Sequence, residues 1–321
     1  MQTINNAPTV TDAAIVGRKT FFVGATPTVL PEIYLENFIA RGYETYRVLE
    51  PHGENLLRKL ELIIALYKGS TLFFCIDTLI DGLDWVQIVH YVLQKHRNEV
   101  SVGILYNRRG LESENLFIKR LYNHLGVQCG CIPLSYQRGQ NFQLLDSVLA
   151  ANNVCGRRKL VRALCGSTST ALFFFGIHRV TAELIDISMN HFSCLLPESE
   201  VKLSDYKECS DILLQIDGNR FRAGCKLHSQ RKTADGVVSV FTFIKRRNGT
   251  VGVDEEMSAK LCTKIYQMIT EQTNRRLQDA FAFVLKYRND NISPSIFCAR
   301  VMSEFQKQRM QERAKLLKLS A

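Results

Sequence analysis

Two periodicities divide the chain. Up to about residue 151, short apolar runs alternate with stretches whose apolar positions recur at helical spacing. Residues 19–24, 45–49, 71–76, 100–105 and 127–134 read as strands. Residues 29–40, 55–67, 84–96, 115–125 and 142–151 read as the helices that follow them. In the first helix Leu30, Ile33, Tyr34 and Phe38 make the apolar face, and Arg41-Gly42 ends it. The third strand, Thr71-Leu-Phe-Phe-Cys-Ile76, is apolar except at its first position, as a strand covered on both faces must be. Five βα units in succession predict a doubly wound α/β domain with a parallel sheet.

From residue 162 the period becomes two. Residues 170–175, 179–187, 192–196, 212–216 and 237–244 read as strands joined by turns. Between the last two, Phe221, Ala223, Cys225 and Leu227 alternate with Arg220, Arg222, Lys226 and His228, which gives one apolar and one basic face. Asp217-Gly218-Asn219 before this strand is a hairpin signal. Strands without intervening helices predict a small antiparallel barrel. Asp254 then caps a helix that carries Glu255 and Glu256 in its first turn. Met257, Leu261, Ile265, Met268 and Ile269 form its apolar stripe, and the pattern runs as far as Tyr287. Ser293-Pro294 opens a last helix, basic and amphipathic, over residues 296–319. Asn152, Asn153 and Gly156 mark a boundary. The expected domains are therefore residues 15–152, 153–275 and a helical extension over 276–321.

Composition sharpens this picture at two points. Hydrophobic content of 46% and charged content of 22% are those of a globular protein. There is no apolar run of about 18 residues and no basic-then-apolar start, so a cytoplasmic protein without a transmembrane segment is expected. The ten cysteines lack the spacing of a zinc site or a disulfide framework. The net charge of +10 lies wholly in the second half: residues 1–150 hold 14 basic and 14 acidic side chains, residues 151–321 hold 27 and 17. Such asymmetry points to an anionic partner for the second half.

The chemistry-bearing residues sit there too. Arg157, Arg158 and Arg162 lead into the β-rich half, and Asp186-Ile-Ser188 closes one of its strands. Guanidinium groups donate in a planar fork that matches phosphate oxygens. A carboxylate and a hydroxyl supply what a purine or ribose edge needs. The order of Arg158-x-x-x-Arg162, two strands, Asp186-x-Ser188, more strands and a helix resembles the PilZ family over residues 155–275. The resemblance implies a cyclic di-GMP receptor. Arg158 and Arg162 would clamp phosphate and stack on guanine, Asp186 and Ser188 would contact guanine, and Arg157 would add a third guanidinium. Where the family motif has a glycine, this chain has His191. Histidine tolerates left-handed backbone better than a branched residue, its ring can fill part of a pocket, and Asn190 offers an alternative position for the turn.

The first half resembles a response-regulator receiver in layout. Asp77 stands where the phospho-acceptor would be. The acidic pair that holds Mg²⁺ is replaced by Gly24-Ala25-Thr26. Tyr106-Asn107 replaces the hydroxyl residue, and no lysine stands near Leu134-Ser135. A lone carboxylate without metal or counter-cation is a poor phosphoryl acceptor, so this domain is expected to serve as an interaction or dimerisation platform.

The combined expectation is a non-enzymatic second-messenger receptor with no cofactor besides its ligand. It would bind cyclic di-GMP at the domain junction and pass the signal to a protein partner, with motility or envelope machinery among the compatible outputs. Whether it forms a homo-oligomer is open. Two other readings stand beside it: a degenerate PilZ-like module that binds protein and no nucleotide, and a nucleic-acid binder using Lys245-Arg246-Arg247 and Arg275-Arg276.

Overall fold

The computed structural model describes residues 18–135, 137–155, 159–175, 178–196, 208–233, 236–244, 253 and 255–286. The chain forms two compact units. Asp254, Lys245-Arg246-Arg247, Ser293-Pro294 and the helix expected over residues 296–319 lie outside the described residues.

The first half alternates strand and helix: β1 (Lys19–Val23), α1 (Glu32–Ala40), β2 (Glu44–Val48), α2 (Gly53–Leu66), β3 (Thr71–Cys75), α3 (Trp85–His96), β4 (Ser101–Asn107), α4 (Glu112–His124), β5 (Cys131–Leu134) and α5 (Arg138–Ala151). The sheet order is β2-β1-β3-β4-β5, with β1–β3, β3–β4 and β4–β5 parallel. This is a doubly wound order whose direction reverses between β1 and β3. The periodicity of the sequence had this layout in it. Every residue of β1 and β3 is buried, which explains the apolar runs Phe21–Val23 and Leu72–Cys75.

Aromatic rings fill the spaces beside the sheet. Phe21 stacks on Tyr46 at 5.3 Å and Phe22 on Phe73 at 5.6 Å. Phe73 is registered opposite Gly103, and a Cβ on Gly103 would run into the Phe73 ring and lie 3.0 Å from the Cys129 Cβ. Asp84 caps α3 by accepting from the Val86 backbone N–H at 2.8 Å. Between α2 and α3, Glu61 accepts from Tyr91 at 2.6 Å and from Lys95 and His96 at 3.0 Å. Burial pushes the Glu61 carboxyl up, yet these hydrogen bonds outweigh it and hold the group below its usual range.

Several boundaries differ from expectation: α4, α5 and β10 begin at Glu112, Arg138 and Glu208 rather than at residues 115, 142 and 212, and two others have a visible cause. Helix α1 begins at Glu32 rather than residue 29, because Val29 and Leu30 donate to the Thr26 carbonyl in a turn before Pro31. Strand β5 begins at Cys131 rather than residue 127. Gln128 and Cys129 both donate to the Val102 carbonyl, and Gly130 turns the chain with φ of +81°.

The second half is a barrel. Its strands are β6 (Arg162–Leu164), β7 (Thr170–Phe175), β8 (His178–Ser188), β9 (His191–Leu196), β10 (Glu208–Ile216), β11 (Asn219–Thr233) and β12 (Gly236–Ile244). The order β8-β7-β10-β11-β12-β9 closes through a β8–β9 pairing, which gives six antiparallel strands. Strand β6 pairs with the end of β8 beyond the reach of β7. The sequence reading had no strand there and ended the basic strand at His228, whereas β11 continues to Thr233.

The barrel interior is aromatic. Phe192 stacks on Phe241 at 5.2 Å, with Phe173 5.0 Å from Phe241 and Phe243 5.2 Å from Phe192. The β10–β11 turn has Asp217 at φ +43° and Gly218 at φ +81°, as a two-residue hairpin requires. Helix α6 (Glu255–Lys286) buries Leu261, Ile265, Met268 and Ile269, and Lys264 reaches Asp217 at 3.2 Å. Among the described residues no helix is long and apolar enough to cross a membrane.

Replacing Gly103 by alanine should overpack the Phe73 contact and cost about 1–3 kcal/mol. Urea unfolding of the variant would show the loss as a lower midpoint at unchanged slope.

Candidate nucleotide-binding site

Two strand pairings, β6–β8 and β8–β9, assemble the candidate site. Strand β6 sets Arg162 opposite Ser188 and Leu164 opposite Asp186. The β8–β9 hairpin then returns the chain through Met189-Asn190 to His191. Thus Arg162, Asp186, Ser188 and His191 come together on one side of the barrel, although Arg162 is distant in sequence. Arg157 and Arg158 lie outside the described residues.

Arg162 and Asp186 form an ion pair at 3.6 Å, with the arginine a third exposed and the carboxylate largely buried. A pair of this kind is not inert toward an anion. A ligand phosphate can compete for the guanidinium fork, while the freed carboxylate can accept from donors on a base edge.

Ser188 works on the backbone. Its hydroxyl accepts from the His191 N–H at 3.1 Å and donates to the His191 carbonyl at 3.0 Å. Both main-chain groups at the hairpin exit are thereby satisfied by one buried side chain. This changes the meaning of His191. The expectation was a position wanting left-handed backbone, taken by His191 or Asn190. Among the described residues only Asn153 and Asp217 are non-glycine residues with positive φ, so neither His191 nor Asn190 has it. Ser188 closes the turn, and residue 191 carries a side chain without backbone strain.

The His191 ring packs edge-on against His228 of β11, with centroids 5.8 Å apart at 74°. Burial, His228 and Arg162 together hold the His191 imidazole below the usual histidine range, against the opposing pull of Asp186. His228 lay within the basic face read from β11. Its meeting with His191 was not legible, because a register shift between Leu227 and Ser229 sets where the ring falls.

The corresponding end of the parallel sheet is built differently. The Asp77 carboxylate is engaged by the Arg109 guanidinium and the Asn107 backbone N–H. Thr78 donates to the Gly24 carbonyl at 2.6 Å, and Trp85 donates its indole N–H to the Thr78 carbonyl at 2.8 Å. A Cβ on Gly24 would lie 2.8 Å from the Trp85 ring, so indole covers the ends of β1 and β3. Ligands of doubly wound sheets bind where strand order reverses. Here that crevice is occupied by Trp85, and Asp77 already has a cation of its own. Among the described residues no cluster of three or more metal-ligating side chains occurs.

No protein-family model and no curated protein matches the sequence. Among solved structures the chain is similar to YcgR from Escherichia coli in complex with c-di-GMP, at 17% identity and a TM-score of 0.31, over 39% of this chain and 50% of that one. It is similar to a PilZ domain of YcgR with c-di-GMP, also at 17% identity, with a TM-score of 0.29 over 38% of this chain and 98% of that one. A third similar structure is translation elongation factor SelB from Methanococcus maripaludis, at 10% identity and a TM-score of 0.29, over 73% of this chain and 52% of that one.

Two outcomes follow from this geometry. Ser188→Ala removes both bonds to His191 and should destabilise the barrel by about 1–2 kcal/mol, seen in thermal unfolding. Incubation with acetyl phosphate and Mg²⁺ should leave Asp77 unmodified by intact-mass analysis, whereas a receiver with its acidic pair would gain a phosphoryl group.

Proposed function

We propose that this chain is a non-enzymatic, cytoplasmic receptor for cyclic di-GMP of the PilZ type. Arg162, Asp186 and His191 bind the ligand on the outside of the barrel, Ser188 fixes the hairpin that presents them, and Arg157 and Arg158 add guanidinium groups. The observation that carries this reading is the convergence of Arg162 with Asp186, Ser188 and His191 across registered strand pairs. A cyclic dinucleotide matches that set: its phosphodiesters suit the arginines, and the N–H edge of guanine suits the Asp186 carboxylate.

In this proposal the domains are residues 15–152, 153–275 and 276–321. Ligand bound beside the segment that joins the first two alters their arrangement. The differential contacts made in the two arrangements then drive binding of a protein partner, with motility or envelope machinery as the expected class.

A second reading has its own support. Leu79 is 98% exposed, and Leu111 and Phe117 are 63% and 66% exposed in the α/β half. Such side chains favour a protein-interaction platform, which can exist with or without a working nucleotide site.

Calorimetric titration with cyclic di-GMP separates the two. The receptor reading expects saturable binding that weakens by about 10–100-fold in Arg158→Ala and in Arg162→Ala, the cost of losing charge-assisted hydrogen bonds. Unchanged affinity in both variants overturns it. No heat from folded wild-type protein leaves the interaction module as the reading.

A further inference from the structure

Strand register continues the site beyond Arg162 and Ser188. His191 is opposite Thr242 of β12, and Thr242 is opposite Lys226 of β11. A row therefore runs Arg162, Ser188, His191, Thr242, Lys226 across five strands. His228 stands beside it with its ring against His191. Lys226 and His228 are exposed, and His191 and Thr242 are half-buried.

The charges around His191 are uneven. Strand β6 contributes Arg162 and β8 contributes Asp186, which already holds that arginine at 3.6 Å. Strand β11 contributes His228 and Lys226, with Glu208 of β10 opposite Lys226. Thr242 of β12 adds no charge. A proton on His191 thus meets three basic groups, Arg162, His228 and Lys226, while Asp186 is shared with Arg162 and Glu208 lies opposite Lys226. Burial, His228 and Arg162 accordingly disfavour the imidazolium in the free protein. An anion placed on the row would reverse that balance, since the same two imidazoles would then donate to phosphate oxygens.

We infer that His191 and His228 form a phosphate-recognition edge beside Arg162, so that the site takes up a proton with its anionic ligand and binds it more tightly as pH falls. The inference rests on the receptor reading and adds to it one recognition residue, His228, a phosphate-facing role for His191 and a direction of regulation. The sign follows from linkage. A group whose pKa rises on binding strengthens binding below the bound-state pKa, and the gain disappears once pH exceeds that value. Well above its bound-state pKa an imidazole is neutral with or without ligand, and the coupling is absent.

The test is calorimetry with cyclic di-GMP between about pH 8 and pH 6, in buffers of differing ionisation enthalpy. Affinity should rise several-fold across the range, bounded by about tenfold per pH unit for each linked proton. Proton uptake should appear as a buffer-dependent heat. In His191→Gln/His228→Gln the slope should be lost, whatever the remaining affinity. An NMR titration of the imidazole C–H signals in wild-type protein supplies a readout that needs no variant: both histidines should titrate at higher pH when ligand is saturating.

Binding that does not change with pH, or histidine titrations that the ligand leaves in place, overturns this inference and leaves the receptor reading standing. A slope retained in the double variant also overturns it and assigns the proton elsewhere. No binding at any pH removes the receptor reading and this inference together.

Discussion

Strand β8 has to satisfy three partners along eleven residues, and the architecture of the second half depends on how it does so. One edge pairs first with β7 and then, where β7 stops, with β6; the other edge pairs with β9 and closes the barrel. An unpaired stretch at the end of β8 would leave backbone donors and acceptors without partners. Strand β6 covers that stretch with three residues, and its first residue is Arg162. The backbone requirement and the placement of a guanidinium beside Asp186 are thus met by one short segment. The position of Arg162 beside Asp186 is a consequence of closing a sheet.

The two halves treat charge in opposite ways. In the parallel sheet, Asp77 has its cation in Arg109 and its crevice filled by Trp85. That arrangement is self-contained and leaves little for a ligand to improve. On the barrel, the Arg162–Asp186 pair at 3.6 Å is partly open, and burial, His228 and Arg162 hold the His191 imidazole below the usual histidine range. An incoming anion there finds donors to recruit. The contrast explains why the same inventory of acids and bases reads as scaffold in one half and as a site in the other.

Much of this was legible in the sequence, and what was hidden has identifiable causes. The parallel sheet announced itself through apolar runs such as Thr71–Cys75, whose burial on both faces leaves no alternation to confuse. The barrel strands announced themselves by period two. Strand β6 did not, because three residues carry no period and its existence depends on where β7 ends. The partner of Asp77 was hidden because Arg109 arrives from a different loop. Register shifts between Leu184 and Asp186, and between Leu227 and Ser229, break the counting that would have set His228 beside His191. The turn at His191 was misjudged for another reason: one serine hydroxyl bridging both main-chain groups does the work assigned to a special backbone angle.

That bridge has an evolutionary consequence. A glycine kept for its backbone angle is locked, since nearly any exchange strains the chain. At residue 191 no positive φ is needed, and the hairpin exit is held by the Ser188 hydroxyl instead. Side-chain identity at residue 191 is thereby uncoupled from the turn, and an exchange there can alter this surface of the barrel while the hairpin stays intact.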